Sequence, residues 1–154
     1  MPAVRRTPFM ELIWRTHRVL FRASGGRIGT RLGALPVLLL SARGRKSGVA
    51  RDVLLNHIRD GERYVVFASH AGEDREPPWW LNLRDAGTAE VMVAGKRFRV
   101  RAREAQGAER ERLWSEARRR DDAYAEYEGR TARRIAVVVL EVANFDRRRY
   151  SASG

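Results

Sequence analysis

The stretch from Leu38 to Arg51 limits what this chain can fold into more than any other. Three leucines after Pro36 read as a buried strand, Gly44 and Gly48 bracket Arg45, Lys46 and Ser47, and apolar residues resume at Val53. The segment therefore reads as strand, basic turn, strand. A turn of this composition can hold an anion. Its glycines let backbone N–H groups converge on a cluster of oxygens, Arg45 and Arg51 offer forked donors, Lys46 adds a point charge and Ser47 a hydroxyl. A solvated basic hairpin would carry the same residues. The spacing is not that of a P-loop, which needs four residues between its glycines and then Gly-Lys-Ser/Thr.

The rest of the chain continues in hairpins. Strands are expected over residues 37–41 and 52–59, with Val53, Leu55 and His57 on one face and Leu54, Asn56 and Ile58 on the other. Asp60-Gly61 signals a tight turn, and residues 63–69 return as a third strand. After Pro77-Pro78 a short helix over 79–85 is closed by Gly87. A second hairpin, 88–94 and 96–105, turns at Gly95. Its return strand alternates Phe98, Val100 and Ala102 with Arg97, Arg99, Arg101 and Arg103. Residues 108–128 have helical spacing, with a break expected at Asp121-Asp122, and 135–142 form a β-branched last strand. Hairpins broken by short helices imply an antiparallel sheet that closes on itself, in an α+β fold. Ahead of it, residues 7–24 read as an amphipathic helix ending at Gly25-Gly26.

At 154 residues the chain is most economically one domain: helix and linker over 1–33, barrel over 34–143, basic tail over 144–154. The absence of cysteine excludes disulfides, iron–sulfur clusters and thiolate zinc sites, and suits a cytoplasmic setting. His17, His57 and His70 are too scattered to suggest a metal site. The longest apolar run, 34–40, is far short of a membrane span, although residues 8–24 could lie peripherally on a membrane or meet a second subunit. Net charge is +12, from 31 Lys+Arg against 19 Asp+Glu, and this favours anionic partners. Nucleic acid, read by the arginines at 97, 99, 101 and 103, and a phosphate-bearing cofactor both satisfy that charge.

The basic turn keeps specific company: Arg59-Asp60-Gly61, the run Tyr64 to Gly72, Trp79-Trp80-Leu81-Asn82-Leu83, and Tyr124-Ala125-Glu126-Tyr127 ahead of Arg130-Thr131. In this order and at these separations the set resembles the deazaflavin-dependent nitroreductase family, whose members use coenzyme F420. The resemblance covers roughly residues 36–142. It implies a split β-barrel of the flavin-mononucleotide-binding type, and hydride transfer from reduced F420 to an electron-poor small molecule such as a nitro compound, an activated alkene or a quinone. FMN is the alternative cofactor, and a monomer or a homodimer is expected.

Carried over residue by residue, the resemblance puts the cofactor phosphate on Arg45, Lys46, Ser47 and Gly48, with Arg51 following. The ring falls along Leu54, Leu55, Ala68, Ser69, His70, Ala71 and Gly72, beside Trp79 and Asn82. Tyr124 and Tyr127 match two aromatic positions of the substrate pocket, and Tyr127 or Ser69 is the expected proton donor. Leu54 stands where family members commonly have proline, and His70 where they often have lysine.

Overall fold

A computed structural model describes residues 31–32 and 35–143 of the chain; the expected helix at 7–24 and tail at 144–154 lie outside the described residues. Among the described residues seven strands run in chain order as β1 (Arg31–Leu32), β2 (Leu35–Arg43), β3 (Ala50–Asp60), β4 (Arg63–Phe67), β5 (Thr88–Val93), β6 (Lys96–Glu104) and β7 (Val137–Val142). The same residues form three α-helices: α1 (Pro78–Ala86), α2 (Gly107–Arg120) and α3 (Ala123–Arg130). The sheet order is β1-β2-β3-β4-β7-β6-β5, and β5 pairs back onto β2. Six strands thus close into an antiparallel barrel, and the two-residue β1 extends the start of β2. β1 falls in the stretch expected to be linker.

Closure follows from which faces are apolar. Leu38, Leu40 and Ala42 of β2, Tyr64 and Val66 of β4, Val91 of β5, Phe98 and Val100 of β6, and Val138 and Leu140 of β7 fill the interior. Trp80 and Leu83 of α1 complete this core, and full burial of side chains this large contributes about 1.5–3 kcal/mol each. On the outside, Val65, Phe67, Val137 and Val139 pack beneath α2 and α3, which contribute Leu113, Trp114, Ala117 and Tyr124. β7 is buried on both faces from Val137 to Leu140, which is why that part of its sequence is a continuous apolar run instead of an alternating one. A third buried cluster, Val37, Leu39, Leu54 and Met92, lies on the outer face of β2, β3 and β5.

The helical region divides where Asp121-Asp122 suggested. The carboxylate of Asp121 accepts a hydrogen bond from the N–H of Ala123, which starts α3 in a new direction. On β6 the outward arginines meet acids: Arg103 spans Glu109 and Glu141, and Arg97 pairs with Glu90. Two of the four cations that a nucleic-acid surface would need are thereby committed to carboxylates of the same chain.

Candidate active site

The basic turn is a closed loop joining β2 to β3. The N–H of Gly44 donates to the carbonyl of Val49 (2.8 Å), and that of Gly48 to the carbonyl of Gly44 (2.8 Å). Gly44 has no room for a side chain, because a Cβ there would stand 2.8 Å from Ser47 Oγ and 3.1 Å from the Val49 carbonyl. Ser47 Oγ accepts the N–H of Val49 (3.2 Å), so this hydroxyl shapes the turn from within. Arg45 is anchored from outside: its N–H and its Nη1 both donate to Oδ1 of Asn82, at 3.1 and 2.8 Å. Asn82 is a buried residue of α1, the helix that also plugs the barrel with Trp80 and Leu83. Arg43, Lys46 and Arg51 are exposed around the same turn. A cleft of about 550 Å³ opens beside it, lined by Arg43, Gly44, Arg45, Gly48, Asp85, Ala86 and Thr88.

From this turn β3 leads away as an open edge. It pairs with β2 from Ala50 to Asn56 but with β4 only from His57 to Asp60. Among the described residues, its side away from β2 therefore carries no strand over the first seven positions. Extending the β3–β4 register places Ala68 level with Leu55, five residues from Ala50, so the loop after β4 sits about 16 Å along the strand from the turn. Val53 and Leu55 of β3 are partly buried against the interior core along this gap, and Trp79 of α1 is partly buried against the same core. Leu54 points the opposite way, into the outer cluster with Val37, Leu39 and Met92. The structure therefore packs Leu55 and Trp79 against the same interior core and places Leu54 elsewhere.

The loop itself is a single 3-10 turn, His70–Gly72. His70 adopts φ 46°, a left-handed conformation uncommon outside glycine, and its Nδ1 lies 3.3 Å from Glu73 Oε2 and 3.2 Å from the carbonyl of Arg75. Gly72, at φ 79°, lies against α3: a Cβ there would stand 3.1 Å from the Tyr127 carbonyl and 2.9 Å from Arg130 Cβ. Ala68 is buried and Ser69 half-buried, while Ala71 lies in the turn.

Tyr124 and Tyr127 stack edge to face, ring centroids 5.8 Å apart, in different surroundings. Tyr124 is 4% exposed and wedged against Phe67 and Trp114. Burial, with the Asp121 carboxylate next in weight, pushes its phenol well above the usual range. Tyr127 is half-buried; burial also raises its phenol, which stays protonated near neutral pH.

A comparison with protein families matches residues 13–142 to the F420H2-dependent quinone reductase family. The chain belongs to that family. A relative described as F420H2-dependent quinone reductase Rv1261c, from Mycobacterium tuberculosis H37Rv, is 39% identical over 130 residues, covering 82% of this chain and 87% of that protein. A solved structure described as an F420-H2 dependent reductase (FDR-A) aligns at TM-score 0.64 and 34% identity, over 69% of this chain and 94% of its own. A second, described as a domain-swapped dimer, aligns at 0.66 and 32%, over 88% and 100% respectively. Family membership makes the chain an oxidoreductase whose cofactor is F420, on a split-barrel fold.

The residues of this F420H2-dependent reductase fit that cofactor's chemistry. A phosphodiester needs convergent cations on a shaped turn, which Arg43, Arg45, Lys46 and Arg51 provide around Gly44 and Gly48. A deazaflavin ring needs an apolar slot beside backbone donors, and the gap along β3 offers Val53 and Leu55, with Trp79 on the same interior core. Three residues of the site escape a reading by sequence. Val53 is signalled only by sharing a strand face with Leu55; Arg43 ends the leucine run and adjoins Gly48, its guanidinium 3.5 Å from where a Cβ would stand. Arg133 carries no local signal at all. Its Nε donates to the carbonyl of Glu73 (2.9 Å), Nη1 to that of Ala68 (3.1 Å) and Nη2 to that of Ser69 (3.0 Å).

Proposed function

We propose that this reductase holds F420 along the open edge of β3, with the phosphate on the Gly44–Gly48 turn and the ring at Leu55, Trp79 and the 68–72 loop, and that its acceptor is a quinone-type small molecule. The observation that carries this reading is the side of β3 that faces no second strand among the described residues, between an anchored basic turn and an anchored loop. Bound there, reduced F420 supplies a hydride from its deazaflavin ring.

The chain's own residues bind, orient and protonate. Arg45, Lys46 and Arg51 neutralise the phosphate, with Asn82 holding Arg45 in place. Val53, Leu55 and Trp79 wall the ring and exclude water from one face. Tyr127, protonated and half-buried beside the loop, is placed to give a proton to the reduced acceptor; Ser69 is the other hydroxyl within the loop. Tyr124, buried against Phe67 and Trp114, supports Tyr127 edge to face.

The test is a fluorescence titration with F420 and with FMN, followed by loss of the reduced-F420 spectrum on adding a quinone. Binding of F420 with turnover is the expected result. Tight FMN binding with none of F420 would reject the cofactor placement, and F420 binding without oxidation by any quinone would reject the acceptor.

A further inference from the structure

Arg133 is the one side chain that holds the 68–73 loop by three separate main-chain carbonyls among the described residues. We propose that Arg133 is the positioning residue of the ring loop, and that by holding the carbonyls of Ala68 and Ser69 it presents the N–H groups of Ser69 and His70 as the loop's donors to the cofactor. The proposal rests on the cofactor placement given above.

The geometry begins with the peptide unit. No cis bonds occur among the described residues, so in each planar unit the C=O and N–H point in opposite directions. The unit that carries the Ala68 carbonyl carries the Ser69 N–H, and the unit that carries the Ser69 carbonyl carries the His70 N–H. With Nη1 and Nη2 on those two oxygens, both N–H groups are turned away from the guanidinium. A cation on a carbonyl oxygen also draws charge from its amide and makes the opposite N–H a stronger donor.

The loop needs such a hold. His70 is at φ 46°, and a conformation of this kind persists only where its surroundings determine it. The planar fork of arginine matches three fixed oxygens, as a lysine ammonium on a flexible stem would not. The same segment seats α3 on the loop: Thr131 Oγ1 lies 3.1 Å from Asp74 Oδ1, and the Tyr127 carbonyl is against Gly72.

The experiment compares wild type, Arg133→Lys and Arg133→Ala by hydrogen exchange of individual amides, with F420 titrations alongside. In the ligand-free protein, exchange of Gly72 and Glu73, whose N–H groups bond Ser69 and His70 within the turn, should quicken about tenfold or more in Arg133→Lys, while β7 amides stay protected. F420 should slow exchange at Ser69 and His70 in wild type, and its Kd should rise about tenfold in Arg133→Lys. Unchanged loop exchange in Arg133→Lys would overturn the positioning role, and this variant decides the matter even where Arg133→Ala fails to fold. Normal F420 affinity without protection at Ser69 and His70 would overturn the donor assignment. Should wild type bind no F420, the cofactor placement and the donor assignment fall together, while loop exchange in the ligand-free variants still judges Arg133.

Discussion

Arg45 and Asn82 are joined twice through one oxygen: the main-chain N–H and the guanidinium of Arg45 both donate to Asn82 Oδ1. A residue of the helix that plugs the barrel thus sets the conformation of the turn assigned to the phosphate. Removing Asn82 should act on the cofactor without touching it. Asn82→Ala is expected to weaken F420 binding about tenfold, since each of two hydrogen bonds is worth roughly 1 kcal/mol and part of the loss is recovered by water. Fluorescence titration measures it, and an unaltered Kd would show that Arg45 needs no anchor.

Lys46 and Arg45 themselves lie on an exposed turn, so the double alanine variant should keep its melting temperature within a few degrees. Its F420 affinity should fall by about ten- to hundredfold for each charge-assisted hydrogen bond removed. Intact affinity with both cations gone would move the phosphate off this turn.

Much of this arrangement is legible as periodicity and little of it as register. The hairpins, the alternation on β6, the break at Asp121 and the basic turn each depend on neighbours in sequence, and each is readable there. How far β4 covers β3 depends on where β4 stops, which residues 63–69 alone do not reveal: their composition predicts a strand to Ser69, but pairing ends at Phe67 and the chain turns at His70. Leu54 and Leu55, grouped at the ring by resemblance, are separated by the two-residue period of the strand that carries them. Arg133 sits beside Arg134 in a polar stretch, and nothing local distinguishes the arginine that binds three carbonyls from its exposed neighbour.

The two tyrosines should separate in their effects. Tyr127→Phe is expected to lower quinone turnover by about 10²-fold, the low end for a general acid, because a good hydride acceptor needs limited help. F420 affinity should change little. Tyr124→Phe should instead act on stability, by about 1 kcal/mol or less, because its hydroxyl sits in the buried ring cluster of Phe67, Trp114 and Tyr127. Steady-state rates and thermal melts on both variants decide this. A stability loss in Tyr127→Phe with full turnover would make Tyr127 a packing residue.

His57 gives the barrel a pH dependence of its own. It is 3% exposed, edge-on to Tyr64, and its Nδ1 has no hydrogen-bond partner among the described residues. Burial, and then the charge of Arg59, lowers its pKa from 6.5 to about 4. Between these values the unfolded chain takes up a proton that the folded chain refuses, so stability rises with pH across the window and is lost as pH falls from 6.5 towards 4. Roughly 3 kcal/mol is at stake, because each pH unit between 6.5 and about 4 is worth about 1.36 kcal/mol. The carboxylates of Asp60 and Glu109, held low chiefly by hydrogen bonds from Arg112 and Arg103 respectively, act further down, beginning near their ordinary pKa values and continuing below. His57→Leu keeps an apolar side chain in the interior and removes the titrating ring. Its unfolding free energy should therefore be flatter than that of wild type between pH 6.5 and 4.5, with the two curves running parallel below pH 4. Denaturant melts across that range provide the measurement, and equal slopes in the upper window would assign the acid sensitivity to the carboxylates alone.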